Sequence, residues 1–105
     1  MTEYTISETE EQTLNIRLEN EIFVLRLYAF RDLMYADVLR GEEYLICGRR
    51  VIEGEWLIPP YAASQYGNLR FESFAADRDE YVWYTGFNSK FRLVAYTAED
   101  VEAMG

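Results

Sequence analysis

Thr13–Glu19 alternates strictly, with Leu14, Ile16 and Leu18 on one side and Asn15, Arg17 and Glu19 on the other. A period of two marks a strand with one buried face. Glu19-Asn20-Glu21 predicts a turn, Asn20 being tolerant of the left-handed backbone that a tight turn needs. Ile22–Phe30 (IFVLRLYAF) is apolar on both faces apart from Arg26. Such a strand is either central in a sandwich or covered on its second face by a partner. Met34–Arg40 and Tyr44–Val51 predict two more strands around Gly41-Glu42-Glu43, with Gly48 marking a bulge or bend. From Ile22 to Ile52 the apolar residues never return at helical spacing over a long window, so no helix is expected there.

The second half is less regular. Glu53-Gly54-Glu55 predicts a turn before Trp56-Leu57-Ile58, and Pro59-Pro60 ends any regular pairing. Residues 61–68 read as a helical turn or irregular crossover. Leu69–Ala75 alternates as a strand, Asp77-Arg78-Asp79-Glu80 is a charged loop tip, and Phe91–Tyr96 is the last strand. Thr97 is placed to cap a short terminal helix. The pattern predicts an all-β fold, a small antiparallel β-sandwich or partly open barrel of roughly six to eight strands. Its expected core is Leu14, Ile16, Leu18, Val24, Leu45, Leu69, Phe71, Leu93 and Val94.

Composition fits one β-domain over residues 12–98, with half of the 105 residues hydrophobic and 16% aromatic. Residues 1–11 carry Glu3, Glu8, Glu10 and Glu11 without a base and predict a flexible, acidic N-terminal docking arm. Residues 99–105 form a short acidic tail with Glu99, Asp100 and Glu102. All 10 Lys and Arg lie between these ends, so the net charge of −9 comes mostly from the termini and the body is near balance. That charge repels free nucleic acid, and no basic patch interleaved with aromatics offsets it. No apolar run approaches the length of a membrane span, and the polar start does not read as a secretory signal. The lone Cys47 fits synthesis in a reducing cytoplasm.

Catalytic chemistry finds little support. Without histidine there is no His-based triad or general base, and no common zinc site. Cys47 therefore reads as a small buried core residue rather than a nucleophile. Glu42-Glu43 and Asp77, Asp79 and Glu80 read as solvated turn acids rather than a glycosidase pair or a calcium loop. Neither a metal nor a cofactor is expected, and the chain is not read as an enzyme. The aromatic run Tyr81–Phe87 is the strongest site candidate: strand alternation would put Tyr81 and Trp83 on one face and Val82 and Tyr84 on the other. A domain this small covers one such face well, which leaves rings for a partner. Tyr81, Trp83, Tyr84 and Phe87, with Trp56, Tyr4 and Ile6, are the predicted interface residues.

The order of segments resembles a known family. An alternating first strand and turn lead into an apolar strand and a D-x-x-x-G segment, Asp37 to Gly41. A small apolar strand then ends at Gly48, and apolar pieces follow at Val51-Ile52 and Trp56-Leu57-Ile58. Gly67-x-Leu69-x-Phe71 and a closing Arg92-Leu93-Val94-x-Tyr96 complete the pattern. Over Thr13–Tyr96 the chain is similar to the small baseplate plug proteins of tailed phages, as in a cyanophage contractile-tail baseplate. The resemblance implies a structural virion protein made in the host cytoplasm. It would be a plug or hub component at the tail tip, assembling in several copies with other baseplate hub proteins. The alternative on the residues alone is a free-standing carbohydrate- or protein-binding β-module using the aromatic loop 81–87.

Overall fold

Strand-forming runs separated by two-residue loops can hardly avoid pairing as hairpins, and here they build one sheet in chain order. The computed structural model describes residues 1–59, 66–74 and 81–104. After a short β1 (Thr2–Tyr4) come β2 (Glu11–Leu18), β3 (Glu21–Phe30), β4 (Leu33–Arg40) and β5 (Glu43–Arg50). The last four form an antiparallel sheet ordered β2-β3-β4-β5. Glu19 and Asn20, with φ of 49° and 70°, link β2 to β3, and Arg31 and Asp32, with φ of 50° and 66°, link β3 to β4. Two successive left-handed residues give the turn whose twist matches that of paired strands. β3 lies inside this sheet, between β2 and β4.

The β4–β5 ladder shifts register twice, between Ala36 and Val38 and between Val38 and Leu39, and the first shift is the bulge expected at Gly48. Ala36 pairs with Arg49 and Val38 with Ile46, which leaves Cys47 and Gly48 opposite Asp37. Gly48 takes a φ of 70°, and its N–H donates to Asp37 Oδ1 at 2.6 Å. Tyr28 Oη donates to the same oxygen at 3.1 Å. A buried carboxylate is tolerable here because two donors meet it. Burial, and then the bond to Asp37, raise the Tyr28 phenol above its ordinary pKa. The bulge also corrects the expectation for Cys47, which is exposed rather than in the core. One extra residue breaks the two-residue alternation, and 47–49 all turn outward.

A second antiparallel sheet contains β6 (Asn68–Ser73) and β7 (Phe91–Tyr96), with β1 on the far side of β7, in the order β1-β7-β6. The two sheets pack face to face without closing into a barrel, an all-β sandwich as expected. Ile16, Phe23, Leu25, Leu27 and Val38 from the larger sheet share one core with Leu69, Phe71, Leu93 and Ala95 from the smaller. Of the predicted core, Leu14 and Val24 are half-buried and the rest are buried. Leu14 sits on an edge strand, while Val24 belongs to the outer face of β3.

Side-chain amides hold the irregular connections to this smaller sheet. Asn68 Oδ1 accepts the N–H groups of Ile58 and Leu69, and its Nδ2 donates to Ile58 O, each at 2.8 Å. Leu57 N–H donates to Leu69 O at 3.0 Å and Gly54 N–H to Phe71 O at 2.8 Å, so residues 54–58 run along the open edge of β6. Just before β6, Gly67 has a φ of 88°, and a Cβ there would lie 2.1 Å from Tyr96 O.

The acidic N-terminal segment is not the free arm that its composition predicts. Thr2–Tyr4 pairs with β7, Thr2 opposite Ala95 and Tyr4 opposite Leu93. Asn88 donates to Ile6 O at 2.6 Å and accepts from Ile6 N at 3.2 Å, while Tyr4 Oη accepts Arg17 N–H at 3.1 Å. Low apolar content undervalues a segment whose few apolar residues are buried and whose backbone has partners waiting. In the partly irregular aromatic run, Tyr84–Gly86 is a 3-10 turn, so strand alternation does not set its faces. The chain must reverse there to enter β7, and Lys90 N–H closes that reversal on Gly86 O at 2.8 Å. At the C-terminal end Thr97 caps α1 (Ala98–Met104) as expected, its Oγ1 accepting Asp100 N–H at 3.1 Å. The loop-tip acids Asp77, Asp79 and Glu80, and residues 61–65 of the crossover, lie outside the described residues.

Candidate assembly surfaces

The predicted interface residues do not form one patch. Tyr81 is 68% exposed, its ring lying 4.8 Å from the Arg50 guanidinium carbon. Trp83 and Tyr84 are half-buried, packed against the core and tilted on each other at 4.9 Å. Tyr84 Oη donates to Glu10 Oε1 at 3.2 Å. Phe87 is buried and stacks on Phe71 at 5.3 Å, and Ile6 is buried as well. Tyr4 is half-buried against the core. Trp56, in the segment beside the edge of β6, is edge-on to Tyr96 at 5.5 Å and beneath Arg70 at 4.4 Å.

Around Trp56 the outer side of the smaller sheet carries an ion-pair brace. Glu72 accepts from Arg70 Nε at 2.9 Å, from Arg92 Nη2 at 3.1 Å and from Tyr96 Oη. Arg92 Nη1 reaches Glu3 Oε1 at 3.4 Å and so ties β1 to the brace. Burial alone would push the Glu72 carboxyl up, but hydrogen bonds from Tyr96 and Arg70, with the Arg70 charge, hold it below the usual range. Burial, and then the bond to Glu72, raise the Tyr96 phenol. A carboxylate held ionised by three donors is suited to fastening strands, not to giving up a proton. Among the described residues no group of acids and cysteine is arranged to hold a metal ion.

Another apolar surface lies on the outward side of the larger sheet. On β3, Ile22 is 59% and Phe30 58% exposed, with Val24 and Tyr28 half-buried between them. β4 adds Leu33, Tyr35 and Leu39 in register, and β5 adds Tyr44. Tyr35 stacks on Tyr28 at 6.0 Å and meets Phe30 edge-on at 6.4 Å. A shallow groove of about 330 Å³ runs past Arg26, Tyr28 and Phe30 toward Glu11 and Thr13. Sequence reasoning saw the two-sided apolar character of Ile22–Phe30 but named none of its residues as interface. The missing signal was register, which brings the outward residues of β4 and β5 beside those of β3.

Comparison with known families matches the chain over residues 1–98 to the family described as cyanophage baseplate Pam3 plug gp18. The match includes the acidic N-terminal segment that the sequence pattern had left outside the resemblance. A comparison with curated proteins finds no match.

Proposed function

Because this chain belongs to the cyanophage baseplate Pam3 plug gp18 family, we propose that it acts at the centre of the tail baseplate by shape and interface burial, with no catalytic turnover. A phage baseplate plug is a structural component of the virion tail, and plugging implies contact with other baseplate proteins. The family match over nearly the whole chain carries this reading. The absence of histidine and the brace around Glu72 support a non-catalytic role, since neither offers an activated nucleophile or a poised proton donor.

For the assembly surfaces we propose exposed Tyr81 with the outer edges of Trp83 and Tyr84, and Trp56 beside the smaller sheet. Phe87, Ile6 and Tyr4 serve this loop from beneath, by fixing where it stands. The partners are hub proteins of the baseplate, with this chain present in several copies. The test is imaging of purified tails, with the chain replaced by Tyr81→Ala or Trp83→Ala variants. Density for this chain at the tail tip, reduced in both variants while each stays folded by circular dichroism, is the expected result. Tails that lack the chain altogether would overturn the plug reading.

A further inference from the structure

The outward face of the larger sheet differs from the rest of the molecule in charge as well as in polarity. The protein carries a net −9, yet the cations on or beside this face are all arginines. Arg17 pairs in register with Ile22, and Arg26 with Thr13 on one side and Asp37 on the other. Arg31 folds over the Phe30 ring at 5.4 Å. Arg50 stands opposite Tyr35 at the β5 side, where it meets Tyr81. The acids lining the groove on this face are Glu11 at its rim and Asp37, whose buried carboxylate is already taken by Tyr28 and Gly48. Among the described residues, Arg17, Arg26 and Arg31 have no ion-pair partner, and Arg50 Nε has no acceptor.

We propose that this face is the principal docking surface of the plug and that its occupant is another baseplate protein, with an apolar centre flanked by carboxylates. The proposal rests on the baseplate reading and adds to it the face and the chemistry of the partner. Charge decides between occupants. A second copy in two-fold contact through the same face would bring arginines against arginines, which costs rather than gains. An acid-flanked apolar surface would cover Ile22, Phe30 and Tyr44 and at the same time meet guanidinium groups that lack an ion pair, Arg26 donating only to Tyr44 Oη at 3.5 Å. Arg50 makes the face continuous with Tyr81, so the aromatic loop becomes one rim of a larger interface.

Three variants of the full chain test this in purified tail particles, with folding of each checked by circular dichroism. Phe30→Asp and Arg26→Glu change exposed side chains and are expected to lower the copies per particle about tenfold at subsaturating subunit, with Arg26→Lys keeping most of the wild-type level. A photoreactive benzophenone side chain placed at Phe30 should cross-link to a different baseplate protein, at a peptide containing Asp or Glu. A cross-link to another copy of this chain, or to a partner peptide without acids, overturns the proposal. Wild-type incorporation of both Phe30→Asp and Arg26→Glu overturns it too while leaving the baseplate reading in place. Absence of the wild-type chain from the particles sinks the baseplate reading itself.

Discussion

The two sheets of this sandwich are joined by opposite means. In the larger one every neighbour in space is the next strand in sequence, and two-residue turns made of ordinary side chains suffice to connect β2, β3 and β4. The smaller sheet pairs residues from the two ends of the chain, Thr2 with Ala95, and its approaches are irregular. There the strand-like contacts come from side chains: Asn68 serves both backbone groups of Ile58, and Asn88 both of Ile6. Closing long loops costs chain entropy, and an unpaired backbone group buried nearby costs more. Sensitivity to single substitutions should therefore concentrate in the smaller sheet, although the larger one holds more strands.

The sharpest contrast sets two glycines against each other. Gly67 and Gly41 both have positive φ, but a Cβ at Gly67 strikes Tyr96 O, while nothing lies within 4 Å at Gly41. Gly67→Ala is expected to cost about 3 kcal/mol or more, combining overpacking with backbone strain, and Gly41→Ala about 1 kcal/mol from strain alone. Urea unfolding measures both, and equal losses would erase the distinction. Next comes Asn68→Ala, which strands Ile58 N–H and C=O and should cost about 2 kcal/mol. Asn20→Ala in the β2–β3 turn should cost about 1 kcal/mol.

A smaller effect depends on pH. The folded Glu72 pKa lies below its unfolded value, so its contribution is present above the ordinary carboxylate range and lost as pH falls through the folded value. Tyr96 has the opposite sign: its raised pKa gives stability that is complete below about pH 10 and lost as pH rises through the folded value. Unfolding midpoints followed from neutral pH into acid should decline less steeply for Glu72→Gln than for wild type. Smallest of all, Asp32→Gly should stabilise by about 0.5 kcal/mol, because glycine accepts the φ of 66° in the β3–β4 turn without steric cost. A loss there would show that Asp32 has a role beyond the turn.

The same division explains what the sequence made legible. The alternation of Leu14, Ile16 and Leu18, the turn at Asn20, the bulge at Gly48 and the cap at Thr97 are local, and each could be read from a few adjacent residues. β1 could not, because its partner lies at the other end of the chain and its anchor is the amide of Asn88. The aromatic run reads as partly irregular, but where it turns, at Tyr84–Gly86, is set by the reversal into β7. Among interface candidates, the aromatic content of 81–87 was visible, whereas the burial of Phe87 against Phe71 was not. The two-sided apolar character of β3 was visible as well. The arginines that give its outer face a charge preference became apparent only with the register.

The pairing of β1 with β7 also orders events in time. A ribosome delivers Thr2–Tyr4 some ninety residues before Leu93–Ala95, the residues that receive it. The hairpins of the larger sheet can form as they are released, with one face still bare of its cover. Until β7 arrives, the layer opposite Phe23, Leu25 and Leu27 lacks its middle strand and the N-terminal segment has no place to dock. A prematurely terminated chain is thus marked by exposed apolar surface and a loose acidic end, a ready substrate for proteolysis. The sandwich is complete only once the chain runs through to Tyr96, because β7 carries both of its neighbours in the smaller sheet.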